Sequence, residues 1–146
     1  MKQHKARIKV TSRSFSRHPI LKQELLALFP NSLFNTDGPP TGLPNIVGFL
    51  KDADGVILGL EEMDRHVLQQ LENVKMIAKY GVGLDNLDVS SAEELGITIG
   101  WTGGVNKRSA SEQALGFMLG LSRNLFFSSF PLKNGKWEKE GGAFLT

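Results

Sequence analysis

Five short strand-like runs, separated by segments of helical period, constrain this chain more than any other feature of its sequence. Gly55 to Leu60 is nearly continuous in apolar residues, and Val74 to Ala78 reads the same way. Such runs suit strands buried on both faces, and those need helices packed above and below. Arg7 to Thr11, with Ile8 and Val10 on one face, predicts a first strand. Ser32 to Asn35 predicts another, and Ile97 to Ile99 a fifth. Helical spacing appears in Pro19 to Phe29, with Pro19 suited to the first turn. Pro44 to Leu50 predicts a short helix. Asp64 to Glu72 predicts one capped by Asp64, and Ser90 or Ser91 caps another that Gly96 closes. A long helix is expected from near Ser109 to about Phe127. Thr36 to Gly42 is dense in breakers and predicts a loop. Alternation of this kind implies an α/β fold: a flavodoxin-like parallel five-stranded sheet with flanking helices. Residues 1–105 form that domain, and 106–146 carry the long helix and a tail.

Composition narrows the function classes. Of the 146 residues, 40% are apolar and 22% charged, as in ordinary globular domains. The net charge of +2 gives no broad basic face, so nucleic acid is not an expected partner. There is no cysteine, hence no disulfide and no thiolate chemistry. The polar N-terminus lacks a signal-peptide core, and no run reaches the roughly 18–20 apolar residues of a membrane helix. The expectation is a cytoplasmic protein without a membrane partner. His4, His18 and His66 are scattered, so neither a metal site nor a Ser–His–Asp triad is legible.

In parallel sheets, ligands bind beyond the carboxyl ends of the strands. Four segments reach that rim: Ser12 to Ser16, Glu61-Glu62, Tyr80 to Asn86 and Trp101 to Asn106. The third contains Gly81-Val82-Gly83-Leu84-Asp85-Asn86, which begins like G-x-G-x-x-G but has Asn86 in place of the third glycine. The acidic ribose ligand due about 20 residues later would fall near Trp101-Thr102-Gly103, where nothing acidic stands. The loop therefore serves something other than a dinucleotide. Its consecutive backbone N–H groups can cradle a small carboxylate, with Lys79 adding positive charge. The same residues also fit a tight turn built on Asp85 and Asn86. Ser109 and Glu112 match a capping box, and Asn106 ahead of them can offer its amide to a substrate or to its own loop. Arg13 and the hydroxyls around it can contact an anion or satisfy loop backbone. Glu61-Glu62 reads most simply as a solvated helix entrance. Past Leu125, Phe126, Phe127, Phe130 and Trp137 form an aromatic excess that calls for a partner domain or second subunit.

Taken in order, several motifs form one series. They are Ala78 to Asp88, Gly96-Ile97, Thr102 to Glu112, and Leu132-Lys133-Asn134-Gly135-Lys136-Trp137. Together they resemble the N-terminal, substrate-binding part of the D-isomer-specific 2-hydroxyacid dehydrogenases, particularly the phosphoglycerate-dehydrogenase-like branch. The resemblance implies a two-domain parent using NAD or NADP. It also implies hydride transfer between C2 of a hydroxyacid and nicotinamide, and a homodimer formed through the long helix, which crosses over toward the nucleotide domain. By position, the backbone of Val82 and Gly83 binds the substrate carboxylate, and Val82 also lies near the nicotinamide. Asn106 matches a substrate-binding asparagine. Lys79 stands where many relatives have arginine, keeping charge but losing the bidentate fork. The family's glycine fingerprint and its catalytic arginine, glutamate and histidine follow the segment matching Gly135-Lys136-Trp137. They are not among these residues, so this chain alone is expected to be inactive. Where phosphoglycerate-specific relatives carry an Arg-Ser-type pair, this chain has Gly59-Leu60-Glu61-Glu62. Two carboxylates there would repel phosphate, which favours a hydroxyacid with a hydroxyl or amino group near Glu61. The alternative reading is a non-catalytic module for binding small carboxylates or for dimerisation.

Overall fold

The computed structural model describes residues 4–37 and 44–137. Most of the loop expected over Thr36 to Gly42, and the tail after Trp137, lie outside them. The strands are β1 (Ile8–Val10), β2 (Leu33–Phe34), β3 (Gly55–Leu58), β4 (Met76–Lys79) and β5 (Thr98–Gly100). They form one sheet in the order β2-β1-β3-β4-β5. Every pairing is parallel, with Val10 opposite Ile57, Leu58 opposite Lys79, and Ala78 opposite Gly100. This is the expected flavodoxin-like order, whose direction of winding reverses between β1 and β3.

Between the strands run α1 (Arg13–Arg17), α2 (Pro19–Leu28), α3 (Ile46–Leu50), α4 (Arg65–Leu68) and α5 (Val89–Glu94). The core joins Val56, Leu58 and Ile77 of the sheet to Leu50, Leu68, Leu71, Val74, Leu87 and Ala92. Lys9 on β1 is also buried. It is anchored to Asp52 and to the carbonyl of Phe49 at 2.7 Å, so its charge is paired where β1 meets the end of α3.

Several local expectations are corrected. Ser12 to Ser16 is not an open loop: the Ser12 hydroxyl accepts from the Phe15 N–H at 3.3 Å and starts α1. β3 stops at Leu58, because the Gly59 N–H turns to the Thr11 hydroxyl at 2.9 Å. Asp64 caps α4 as expected, accepting from Val67 at 2.8 Å, but the helix ends at Leu68. Asp88, not Ser90 or Ser91, caps α5. Its carboxylate accepts from the Ser91 N–H at 3.0 Å and the Ser91 hydroxyl at 2.6 Å. Those bonds, the hydroxyl's first, hold the Asp88 carboxyl below its usual range.

The chain divides into two compact units, residues 1–103 and 104–146. The second contains α6 (Lys107–Ser122) and α7 (Leu125–Lys133). The expected long helix thus ends at Ser122. Asn124 adopts a left-handed conformation (φ 55°), which an asparagine tolerates, and a second helix begins after it. The Ser109–Glu112 capping box does not form. A turn at Gly104 starts α6 two residues earlier, which places Ser109 inside it, and Arg108 takes the Glu112 carboxylate at 2.9 Å. Phe126 lies over Gly120, the buried residue of α6, and contacts Phe117 with ring centroids 6.2 Å apart. The large apolar groups described in this unit are exposed, Phe127 to 71% and Trp137 to 75%.

Candidate carboxylate site

The glycine loop follows β4 directly, at the carboxyl edge of the sheet. Gly81 has φ 150°, a conformation closed to most side chains, and it turns the chain away from the strand. The backbone N–H groups of Val82 and Gly83 find no acceptor among the described residues. The Val82 carbonyl is occupied, accepting from the Trp101 indole at 3.1 Å, and this ties the loop after β5 to the glycine loop. Two adjacent free donors on a fixed turn are what a carboxylate cradle requires.

Lys79 ends β4 with its ammonium directed back at the loop. A Cβ placed on Gly81 would lie 3.9 Å from that nitrogen. The ammonium donates to the Gly59 carbonyl and, at 2.7 Å, to the Asn86 side-chain oxygen. The Asn86 amide in turn donates to the carbonyls of Gly59 (3.2 Å) and Glu61 (2.6 Å). Burial pushes the Lys79 pKa down, opposed by the charges of Glu61 and Asp85. The Asp85 carboxylate crowds the open face of Gly83, where an added Cβ would meet it at 2.8 Å.

Glu61 corrects the expectation of a solvated helix entrance. Only 7% of it is exposed, and its carboxylate accepts from the Thr11 hydroxyl at 2.5 Å. The hydroxyl is held in place by the N–H of Gly59. Glu62 is exposed. Arg13, on α1, borders a cleft of about 480 Å³ together with Ser14, Arg17, Leu60, Glu61 and Tyr80. The Tyr80 ring packs edge-on against Phe15 at 5.2 Å. Asn106 belongs to the second unit, at the start of α6, and makes no side-chain capping bond there.

The structure thus brings Lys79, Val82, Gly83 and Glu61 around one loop system and sets Arg13 on the adjoining cleft. Sequence reasoning missed the part played by Thr11 and treated Asn86 only as a turn residue. The departure of Asn86 from the glycine expected there was a usable signal. No group of three or more His, Cys, Asp or Glu that could hold a metal occurs among the described residues. The glycine loop does not fit a pyrophosphate: Asn86 stands at the third glycine position, and the start of α5 that follows is already capped by the Asp88 carboxylate, which accepts from the Ser91 N–H at 3.0 Å.

Residues 19–143 match the model of the D-isomer specific 2-hydroxyacid dehydrogenase catalytic domain. The chain belongs to this family. Among curated relatives, the hydroxypyruvate reductase of Thermotoga maritima is 38% identical over 85 residues, covering 58% of this chain and 28% of the relative. A D-3-phosphoglycerate dehydrogenase of Methanocaldococcus jannaschii is 34% identical over 92 residues, covering 62% and 18%. Among solved structures, the NADPH-dependent glyoxylate/hydroxypyruvate reductase of Sinorhizobium meliloti superposes with a TM-score of 0.71 at 22% identity, covering 98% of this chain and 42% of the other. The NAD⁺-bound 3-phosphoglycerate dehydrogenase of Entamoeba histolytica gives 0.70 at 20% identity, covering 98% and 44%. The chain therefore spans less than half of each of these 2-hydroxyacid dehydrogenases. Their shared fold accords with the five-stranded parallel sheet seen here. No helix among the described residues is long and apolar enough to cross a membrane.

Proposed function

We propose that this chain is the substrate-binding part of an NAD(P)-dependent D-2-hydroxyacid dehydrogenase, holding a small hydroxyacid or ketoacid by its carboxylate. The observation that carries the reading is the pair of unpartnered N–H groups on Val82 and Gly83, on a turn whose Gly81 lies beside the Lys79 ammonium. The donors are short and fixed, and the positive charge stands within reach of the anion they would bind. The related proteins named above act on hydroxypyruvate, glyoxylate and 3-phosphoglycerate, all of which present such a carboxylate. In the parent enzyme, hydride passes between C2 of the acid and a nicotinamide. Val82 then borders the nicotinamide end of the cofactor, and Asn106 contributes its amide to the substrate. These 146 residues contain no G-x-G-x-x-G run, and their three histidines all lie before residue 67. The chain by itself is therefore expected to bind acid without oxidising NADH.

Amide NMR tests the reading. Titration with glyoxylate or D-lactate shifts the Val82 and Gly83 signals first. Unmoved signals at these two residues, or NADH-dependent turnover by the chain alone, would overturn it. A second reading, self-association, is favoured by the exposed aromatic face of α7 and Trp137. Sedimentation of the chain would show a dimer that Phe127→Asp with Phe130→Asp dissociates. A monomer at all concentrations would remove this reading.

A further inference from the structure

One hydrogen bond at the glycine loop comes from outside it. The Val82 carbonyl accepts from the Trp101 indole at 3.1 Å, and Trp101 stands 19 residues later, just past β5. That carbonyl belongs to the same peptide unit as the Gly83 N–H, one of the two donors of the candidate cradle. No peptide bond among the described residues is cis, so within this unit the C=O and the N–H point in opposite directions. Holding the oxygen on the indole side therefore aims the hydrogen away from it. We propose that Trp101 is a positioning residue for acid binding: it locks the Val82–Gly83 peptide in the orientation that presents the Gly83 N–H to a carboxylate. The proposal rests on the carboxylate reading above and adds the group that keeps that site competent.

A lock is needed because the residue after this peptide is glycine. A peptide plane turns over by changing ψ of the residue before it and φ of the residue after it. Gly83 now has no positive φ. The reversed unit would give it one, as in the exchange between type I and type II turns, and glycine takes that conformation without steric cost. Reversal would point the Val82 oxygen where the oxygens of the acid should sit, replacing an attraction by a repulsion. Among the described residues, the indole is the one donor that holds the carbonyl against it. A donor on the carbonyl also polarises the unit and strengthens the Gly83 N–H at its other end.

Trp101 contributes little to the core, being exposed to 46%. Its single N–H is committed to Val82, so it acts through the peptide rather than by touching the acid. The far edge of the ring lies over Gly103, where an added Cβ would stand 2.9 Å from Cη2. Gly103 thus leaves the space that the indole uses. A side chain there would push the ring, and its N–H, away from Val82.

Titration of the chain with glyoxylate, followed by amide and indole NMR, tests this. In the unaltered chain the Trp101 indole N–H signal is expected to move together with the Gly83 amide, at the same dissociation constant. Trp101→Phe keeps an aromatic ring and removes the donor, and it identifies which of the two indole signals belongs to Trp101. It should weaken glyoxylate binding about fivefold, the worth of one hydrogen bond, with the melting point nearly kept. Gly103→Ala should weaken binding in the same direction by displacing the ring. In a chain carrying Gly83→Ala and Asp85→Ala, where alanine resists positive φ, Trp101→Phe should cost less than in the native loop. Unchanged affinity in Trp101→Phe, or an indole signal that saturating acid leaves in place, overturns the proposal while Val82 and Gly83 shifts keep the carboxylate reading. A loss undiminished in the alanine background reduces Trp101 to packing and overturns it as well. Should Trp101→Phe fail to fold, Gly103→Ala and the indole signal decide. Absence of any Val82 or Gly83 shift in the unaltered chain overturns both readings.

Discussion

The side-chain amide of Asn86 donates to the backbone carbonyl of Glu61 at 2.6 Å, bonding the glycine loop after β4 to the loop after β3. The same amide reaches Gly59, and the side-chain oxygen accepts a hydrogen bond from the Lys79 ammonium. One side chain thus fixes the spacing of the two loops that carry the candidate site. Replacing it by alanine leaves two part-buried carbonyls with fewer donors and one ammonium with fewer acceptors. Asn86→Ala is expected to cost about 1–3 kcal/mol in stability, read by urea unfolding. Acid binding should weaken as well, because the loops lose their fixed separation. Asn86→Asp should be no better: its second oxygen would face the carbonyls that the amide now serves.

Lys79 carries a pH prediction. Burial holds its pKa below the ordinary 10.5 in the folded chain. Between the folded value and 10.5, the unfolded chain is protonated at this lysine and the native chain is not. Stability therefore rises with pH across that window, and the protonated amine is a standing cost below it. Unfolding measured against pH should show this rise, and Lys79→Met should remove it. An acid bound at Val82 and Gly83 places a negative charge near the ammonium and raises its pKa, which NMR of the labelled lysine side chains would detect. A pKa that acid leaves unmoved would place the bound carboxylate away from Lys79.

The two glycines of the loop should respond differently to alanine. Gly81, at φ 150°, admits a side chain only with strain of about 1–3 kcal/mol. At Gly83 the added methyl meets only the Asp85 carboxylate, the far end of a mobile side chain. Thermal melts should show Gly81→Ala clearly destabilised and Gly83→Ala close to the unaltered chain. Acid binding should suffer in both, and Asp85→Ala should rescue it only in the Gly83→Ala background.

Much of this was legible because the signals were periodic or local. The apolar runs at Gly55 and Val74 placed buried strands, and Pro19 and Asp64 marked helix starts that the chain uses. The site was half legible. A bare glycine turn at a strand end advertises its donors by composition alone, so Val82 and Gly83 could be named in advance. Long-range pairings could not. Nothing near Glu61 in sequence shows that Thr11, fifty residues away, will draw its carboxylate inward. Asn124 was overlooked for another reason: an apolar stripe on both sides of it carries the helical period across a residue whose left-handed backbone breaks the helix.

Gly120 tests the second unit by itself. It is the buried residue of α6, and a methyl there would run into the Phe126 ring, which could make room only by giving up its contact with Gly120 and swinging further into solvent. Gly120→Ala favours the isolated helix by roughly 1 kcal/mol, so any net loss must come from packing between α6 and α7. Circular dichroism should show a lower melting point with helix content kept at low temperature. A stabilised variant would mean that Phe126 does not rest on Gly120 in solution.

The Thr11–Glu61 pair offers the sharpest comparison. Thr11 is fully buried, and its hydroxyl donates to Glu61 while accepting from the Gly59 N–H. Valine has nearly the same shape and neither function, so Thr11→Val removes the hydroxyl and leaves the cavity filled. Gly59 N–H and a buried carboxylate oxygen then stand unpaired, at a cost of about 2–5 kcal/mol, since one of the two groups is charged. Thr11→Ser keeps both bonds and loses one methyl, for about 1 kcal/mol. The ordering Thr11, Ser, Val in unfolding free energy is the expected result. Glu61→Gln can still accept from Thr11 but removes the charge opposite Lys79, so it should lower the Lys79 pKa further while costing less stability than Thr11→Val. If Thr11→Val and Thr11→Ser unfold alike, the hydroxyl is not what holds Glu61 inside.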